Sequence, residues 1–177
     1  FFKSDGGADD KIAVIIRIEV IMSASVISYH VSPAPGGHRF SVQQRVPVAP
    51  GSEVVFYMPI WIPGSYMRRD FARFLSRLAI TDADGNAIPF SFDNPSRWRL
   101  RVPRDCHELR LTYSIYARDI SVRGNYLDHE RGFLNPCATC IAVEGSEHLP
   151  HRLVLALEGH RAGWQIMGAQ TGADGAY

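Results

Sequence analysis

Three short clusters in this chain carry residue types with catalytic or metal-binding potential. His107-Glu108 opens the series H-E-L-R-L. A zinc peptidase needs H-E-x-x-H on a helix, so that two imidazoles four apart share a face while the Glu activates water. Leu111 stands at the second histidine position, and the segment alternates as a strand, which sends His107 and Glu108 to opposite sides. C-A-T-C, with Cys137 and Cys140, has the spacing of half a zinc site or a redox pair. No second C-x-x-C completes it, no βαβ pattern surrounds it, and it reads as small half-buried residues after a turn. E-H-L-P-H places His148 and His151 on a loop broken by Pro150, without a third ligand nearby, and reads as solvated loop histidines. No metal site is expected in the chain. Nucleophile elbows, phosphate-cradling glycine loops and dinucleotide fingerprints are absent.

Two longer stretches are richer. W-I-P-G-S-Y-M-R-R-D-F-A-R-F, residues 61–74, begins as an aromatic turn and runs into Arg68, Arg69, Asp70 and Arg73. Pro63 fixes φ, Gly64 allows the turn, and Trp61 and Tyr66 are expected to clamp it from either side. The charges are expected to pair locally or across to another domain. Residues 118–136 set Asp119, Arg123, Asp128, Glu130 and Arg131 among Tyr126 and Phe133, with Gly124 and Gly132 allowing close backbone approach. A polar-aromatic loop on a rigid sheet suits recognition, and equally suits a charge network that merely orders the loop.

The elements that must position these groups are strands. Phe40, Val42 and Val46 share one parity, as do Val54, Phe56 and Met58, then Leu109, Leu111, Tyr113 and Ile115, then Leu153, Leu155 and Leu157. In R-W-R-L-R, Trp98 and Leu100 face inward and Arg97, Arg99 and Arg101 line the wet face. Turn signals separate the runs at 33–37, 49–52, 82–86 and 93–96, and D-A-D-G-N reads as a hairpin tip. The best helix candidate is residues 67–78, whose aromatics also fit a bent strand. Short strands with frequent turns predict an all-β fold, a sandwich or an open, curved sheet pair.

Composition sets the remaining bounds. The chain has 177 residues, 46% apolar and 21% charged, enough for a sizeable core in one large domain. A formal net charge of +1 offers no field for nucleic acid or an anionic membrane, so neither partner is expected. Three cysteines, Cys106, Cys137 and Cys140, argue against a secreted disulfide framework and for a reducing, cytoplasmic setting. The apolar run at 12–22 is broken by Arg17 and Glu19 and is too short to span a bilayer. Residues 1–21 are expected to be a non-native or disordered leader before Met22, residues 22–168 the sandwich, and residues 169–177 a linker.

P-I-W-I-P-G-S-Y-x-x-R-D-F-A (59–72) and Y-A-R-D-I-S-V-R-G-N-Y-L-D-x-x-R-G-F-L-N (116–135) resemble the amino-terminal domain of the M61, glycyl aminopeptidase family of zinc metallopeptidases. The similarity runs from about Tyr29 to Trp164, through Y-H-V-S-P, W-R-L and G-W-Q-I. It implies a curved antiparallel β-sandwich, like that of the related M1 aminopeptidases, preceding a thermolysin-like catalytic domain and a PDZ domain. Zinc and the general-base Glu would belong to that catalytic domain, so this chain alone carries no catalytic residue and no cofactor. Its partners would be the catalytic domain beyond residue 177, the PDZ domain and the parent's peptide substrate. The residues expected to face substrate or the neighbouring domain are Tyr126, Asp128, Arg131, Phe133 and Asn135, with Asp128 placed to hold a free α-ammonium group. A different class of reading is a stand-alone sandwich that binds peptide or carbohydrate. It requires a self-sufficient surface, whereas a docked domain leaves an apolar interface bare. A third reading gives Cys137 and Cys140 a redox or zinc role.

Overall fold

The computed structural model describes residues 26–157. The expected leader (1–21), the strand start at 22–25, the G-W-Q-I segment at 163–166 and the linker (169–177) lie outside the described residues.

Alternating residues build two sheets that bury their shared parity against each other. The larger sheet has the order β11-β1-β2-β7-β4, from β1 (Ile27–Ala34), β2 (Arg39–Pro47), β4 (Leu75–Thr81), β7 (Glu108–Tyr116) and β11 (His151–Leu155). The smaller has the order β10-β3-β6-β5, from β3 (Glu53–Tyr57), β5 (Ser91–Asn94), β6 (Arg97–Arg101) and β10 (Ala142–Val143). Pairing is antiparallel except between β1 and β11, which run parallel. Phe40, Val42 and Val46 of β2 and Leu109, Leu111, Tyr113 and Ile115 of β7 face Val54, Phe56, Trp98 and Leu100 across one core. This is the expected all-β sandwich. The outer face of β6 is as expected too: Arg97 pairs with Asp93 and Glu144, and Arg99 with Asp93 and Glu53.

Two local expectations change. Residues 67–78 form no helix beyond a single 3-10 turn at Phe71–Phe74, and the chain passes directly into β4. Pairing with β7 overrides the weak helical pattern, and a bulge between Ser76 and Ala79, where Arg77 adopts φ 58°, bends the edge strand. Leu153, Leu155 and Leu157 are only half-buried, since β11 is an edge strand. The hairpin tip at 82–86 does form, with Gly85 at φ 90° and Asp82 accepting from the amides of Asp84 and Asn86.

Backbone at residue 141 has no sheet partner and is anchored by the core itself. Tyr29 on β1 and Gln44 on β2 donate to the Ile141 carbonyl at 3.0 and 2.9 Å, and the Ile141 amide donates to the Tyr113 hydroxyl on β7 at 3.2 Å. Burial pushes the Tyr29 and Tyr113 hydroxyls far above the usual phenol range, so both stay neutral and available as partners. Tyr113→Phe leaves the buried Ile141 amide unpaired. The expected loss is about 1–3 kcal/mol of unfolding free energy, read by chemical denaturation. An unchanged midpoint would mean that the anchor contributes nothing.

Candidate functional site

One end of the sandwich is made of the two long motifs. The 3-10 turn of residues 71–74 packs against a helical turn, α1 (Pro136–Thr139), so the 59–74 and 116–140 segments meet.

The turn at 60–69 is shaped by its own polar groups. Gly64 takes φ 78°, Ser65 donates its amide to the Ile62 carbonyl, and the Arg69 amide closes on the Ile60 carbonyl at 2.7 Å. Arg69 Nε reaches the buried Ser65 hydroxyl at 2.9 Å, and Arg68 pairs with Asp70 at 3.1 Å. The expected aromatic clamp is absent. Trp61 is 59% exposed and Tyr66 fully so, with Met67 and Ile60 beside them in the solvent. Hydrogen bonds closed by Gly64 and Ser65 do what the rings were expected to do, and leave the rings free.

The second motif forms a hairpin, β8 (Tyr126–Leu127) and β9 (Gly132–Phe133), hung on the end of β7. Leu127 points into the core, and Gly132 lies opposite it, where an added Cβ would come within 3.2 Å of the leucine. His38 ties the hairpin down. Its Nδ1 bonds to the Leu127 carbonyl at 2.6 Å and its Nε2 to the Arg118 guanidinium at 3.0 Å. Tyr126 and Phe133 are paired across the hairpin and so share its outer face.

Asp128 is the turn's organiser. Its Oδ1 accepts from the Glu130 and Arg131 amides, each at 2.8 Å, and its Oδ2 accepts from the Tyr126 hydroxyl at 2.8 Å. The two backbone amides, then the tyrosine hydroxyl, hold this carboxyl down to a pKa of about 2. All these bonds are internal to the hairpin. The Arg131 guanidinium lies over the Tyr126 ring, 5.4 Å from its centroid. Of the five expected site residues, the hairpin brings Tyr126, Asp128, Arg131 and Phe133 together. Asn135 lies apart and works structurally: its Oδ1 caps α1 through the Cys137 amide at 3.0 Å, and its Nδ2 donates to the Arg123 carbonyl.

Sequence reading passed over Asn125, which is buried at the base of this end. Its Oδ1 accepts from the Asn135 amide at 2.8 Å and from the Thr139 hydroxyl at 3.0 Å, while its Nδ2 donates to the Ala138 carbonyl at 3.1 Å. One carboxamide thus fastens the long loop to α1. No spacing signal marks it, because its partners lie 10 to 14 residues away. Ile120 and Val122 were also missed, although they are 87% and 78% exposed on the neighbouring loop. That loop is tight: Asp119 accepts from the Ser121 amide at 2.8 Å, and a Cβ on Gly124 would fall onto the Asp119 side chain.

The other clusters stay dispersed. Glu108 pairs with Arg110, and His151 stacks on Tyr29. Cys137 is exposed on α1, whereas burial pushes the Cys140 thiol up to about 12. Among the described residues no group of three or more His, Cys, Asp or Glu side chains could hold a metal ion. No helix among these residues is long and apolar enough to cross a membrane.

Fold and site together define a β-sandwich domain with one loop-built, partly apolar end. The chain matches the family described as the Peptidase M61 N-terminal domain over residues 28–176, and it belongs to that family. A crystal structure of an aminopeptidase N family protein from Idiomarina loihiensis is similar to it, with 37% identity and a TM-score of 0.67 over 73% of this chain. The chain spans 22% of the length of that protein. No curated protein matches it.

The Asp128 carboxyl is lowered on folding, so its stabilising bonds are intact above the ordinary aspartate range and are lost only as pH falls through about 2. Following its carboxyl carbon by NMR should give a midpoint near 2, with the 126–133 amides undisturbed at pH 3. A midpoint near the model-peptide value of about 3.9 would show that the three bonds are not formed in solution.

Proposed function

We propose that this is the non-catalytic wall of an M61-type zinc aminopeptidase, flanking the cleft of a catalytic domain and helping to position the peptide's amino-terminal end. The observation that carries the reading is the bare turn. Ile60, Trp61, Tyr66 and Met67 stand in solvent on a backbone fixed by its own hydrogen bonds. A run of large apolar side chains held rigid in water suits a surface that a neighbour covers. In an M61 N-terminal domain the natural neighbour is the catalytic domain, which would hold the zinc and hydrolyse the peptide bond, with a PDZ domain beyond it. Three free cysteines suit a cytoplasmic setting.

Within this division of labour the chain's own residues bind and orient. The hairpin of residues 126–133 projects Tyr126, Arg131 and Phe133 from the end that carries the apolar turn. Asp128 is fully engaged with its own hairpin, so its contribution to a substrate is to hold Tyr126 and Arg131 in place.

Reading the gene past the codon for Tyr177 tests the proposal. An H-E-x-x-H motif is expected on the order of a few hundred codons downstream, within a domain-sized open frame. A stop codon immediately after residue 177 would overturn the reading and favour a self-contained binding module.

A further inference from the structure

The hairpin face and the loop before it border an open hollow of about 270 Å³, lined by Asp119, Ile120, Val122, Tyr126, Arg131 and Phe133 among others. Pockets for drug-sized ligands run to about 300–1,000 Å³, so this one suits one or two amino-acid side chains. Its lining has two distinct parts. Ile120, Val122 and Phe133 give it an aliphatic and aromatic wall that is largely bare to solvent. Its charges are unequal in what they leave free.

Asp119 turns Oδ1 toward the Ser121 amide and rests its carboxylate against Gly124. Asp128, at the back of the hairpin, has both oxygens engaged by two amides and a hydroxyl. Arg131 differs. Its backbone amide and carbonyl bond to Asp128, while its guanidinium lies over the Tyr126 ring, within electrostatic reach of Asp128 but with no carboxylate at ion-pair distance among the described residues. The guanidinium carbon lies 5.4 Å from the centroid of a ring whose hydroxyl is itself pinned by Asp128. Its N–H fork remains open for a carboxylate.

We propose that this pocket binds a peptide segment in which a carboxylate side chain follows an aliphatic one. Arg131 takes the carboxylate, and Ile120, Val122 and Phe133 take the aliphatic group. The inference deepens the function proposed above and rests on it for the peptide nature of the ligand. It moves the charge that meets the ligand from Asp128 to Arg131, and so selects an anionic group where an α-ammonium contact would select a cation.

The test is an NMR titration of the 177-residue chain with N-acetyl-Leu-Glu-amide and with N-acetyl-Leu-Gln-amide. The Glu peptide is expected to give saturable shifts at Ile120, Val122, Tyr126, Arg131 and Phe133, and to bind about five- to tenfold more tightly than the Gln peptide. Arg131→Gln should erase that discrimination while leaving the rest of the spectrum in place, because the residue's structural bonds come from its backbone. Val122→Asp, which removes part of the aliphatic wall and sets a negative charge on the rim, should weaken both peptides, the Glu peptide more than the Gln peptide. Equal binding of the two peptides, shifts that map elsewhere, no saturable shift, or discrimination that survives Arg131→Gln would each overturn the proposal. Acetate reproducing the full set of shifts would also overturn it, by showing an anion site with no use for the aliphatic wall. None of these outcomes alters what the gene encodes downstream, so the domain's parentage is judged separately.

Discussion

Residues 135–141 have backbone that no sheet pairs, and buried backbone must find partners somewhere. Apart from the bonds within the α1 turn, the partners here are side chains. Asn125 holds the amide of Asn135 and the carbonyl of Ala138, and Tyr29, Gln44 and Tyr113 hold both polar groups of Ile141. These contacts reach from three strands of the large sheet and from the long loop to the same few residues. They convert what would be an open connection between β9 and β10 into part of the sandwich. Gln44 carries a cost for this, since its Oε1 is buried without a partner among the described residues.

A fixed 135–141 segment has consequences outward. The α1 turn gives the 3-10 turn of residues 71–74 something to rest on, so the apolar 60–67 turn and the Tyr126–Phe133 hairpin share a common base. His38 adds a second tether between the hairpin and the β1–β2 connection. The exposed side chains at this end therefore sit on constrained backbone. Preorganised groups lose less freedom when a neighbour or ligand covers them. That is why the bare turn and the hairpin pocket read as recognition surfaces in a domain of the M61 N-terminal family.

The strands were legible because burial on one face imposes a period of two, as in β2, β3, β6 and β7. The exception inside that pattern was informative. Gln44 has the core parity of Phe40, Val42 and Val46, and only its bond to Ile141, 97 residues away, explains a polar group there. Residues 67–78 were ambiguous because edge pairing and a bulge decide their conformation. At the functional end, composition pointed to Tyr126, Asp128, Arg131 and Phe133 as a group, and hairpin pairing brings them together. Their roles were not legible. Nothing in D-H-E-R says that Asp128 folds back on two amides while Arg131 lies over a ring. Likewise Trp61 and Tyr66 resemble packing aromatics until the turn beneath them proves to be closed by Ser65 and Arg69.

Amide hydrogen exchange across residues 125–141 tests most directly whether this end is one rigid block. The amides of Asn135 and Ile141, bonded to Asn125 and Tyr113, should exchange as slowly as those in the middle of β7. Exchange at the rate of an open surface loop would contradict it. The 118–140 segment would then be a mobile flap, and neither the pocket nor the apolar turn would have a fixed platform.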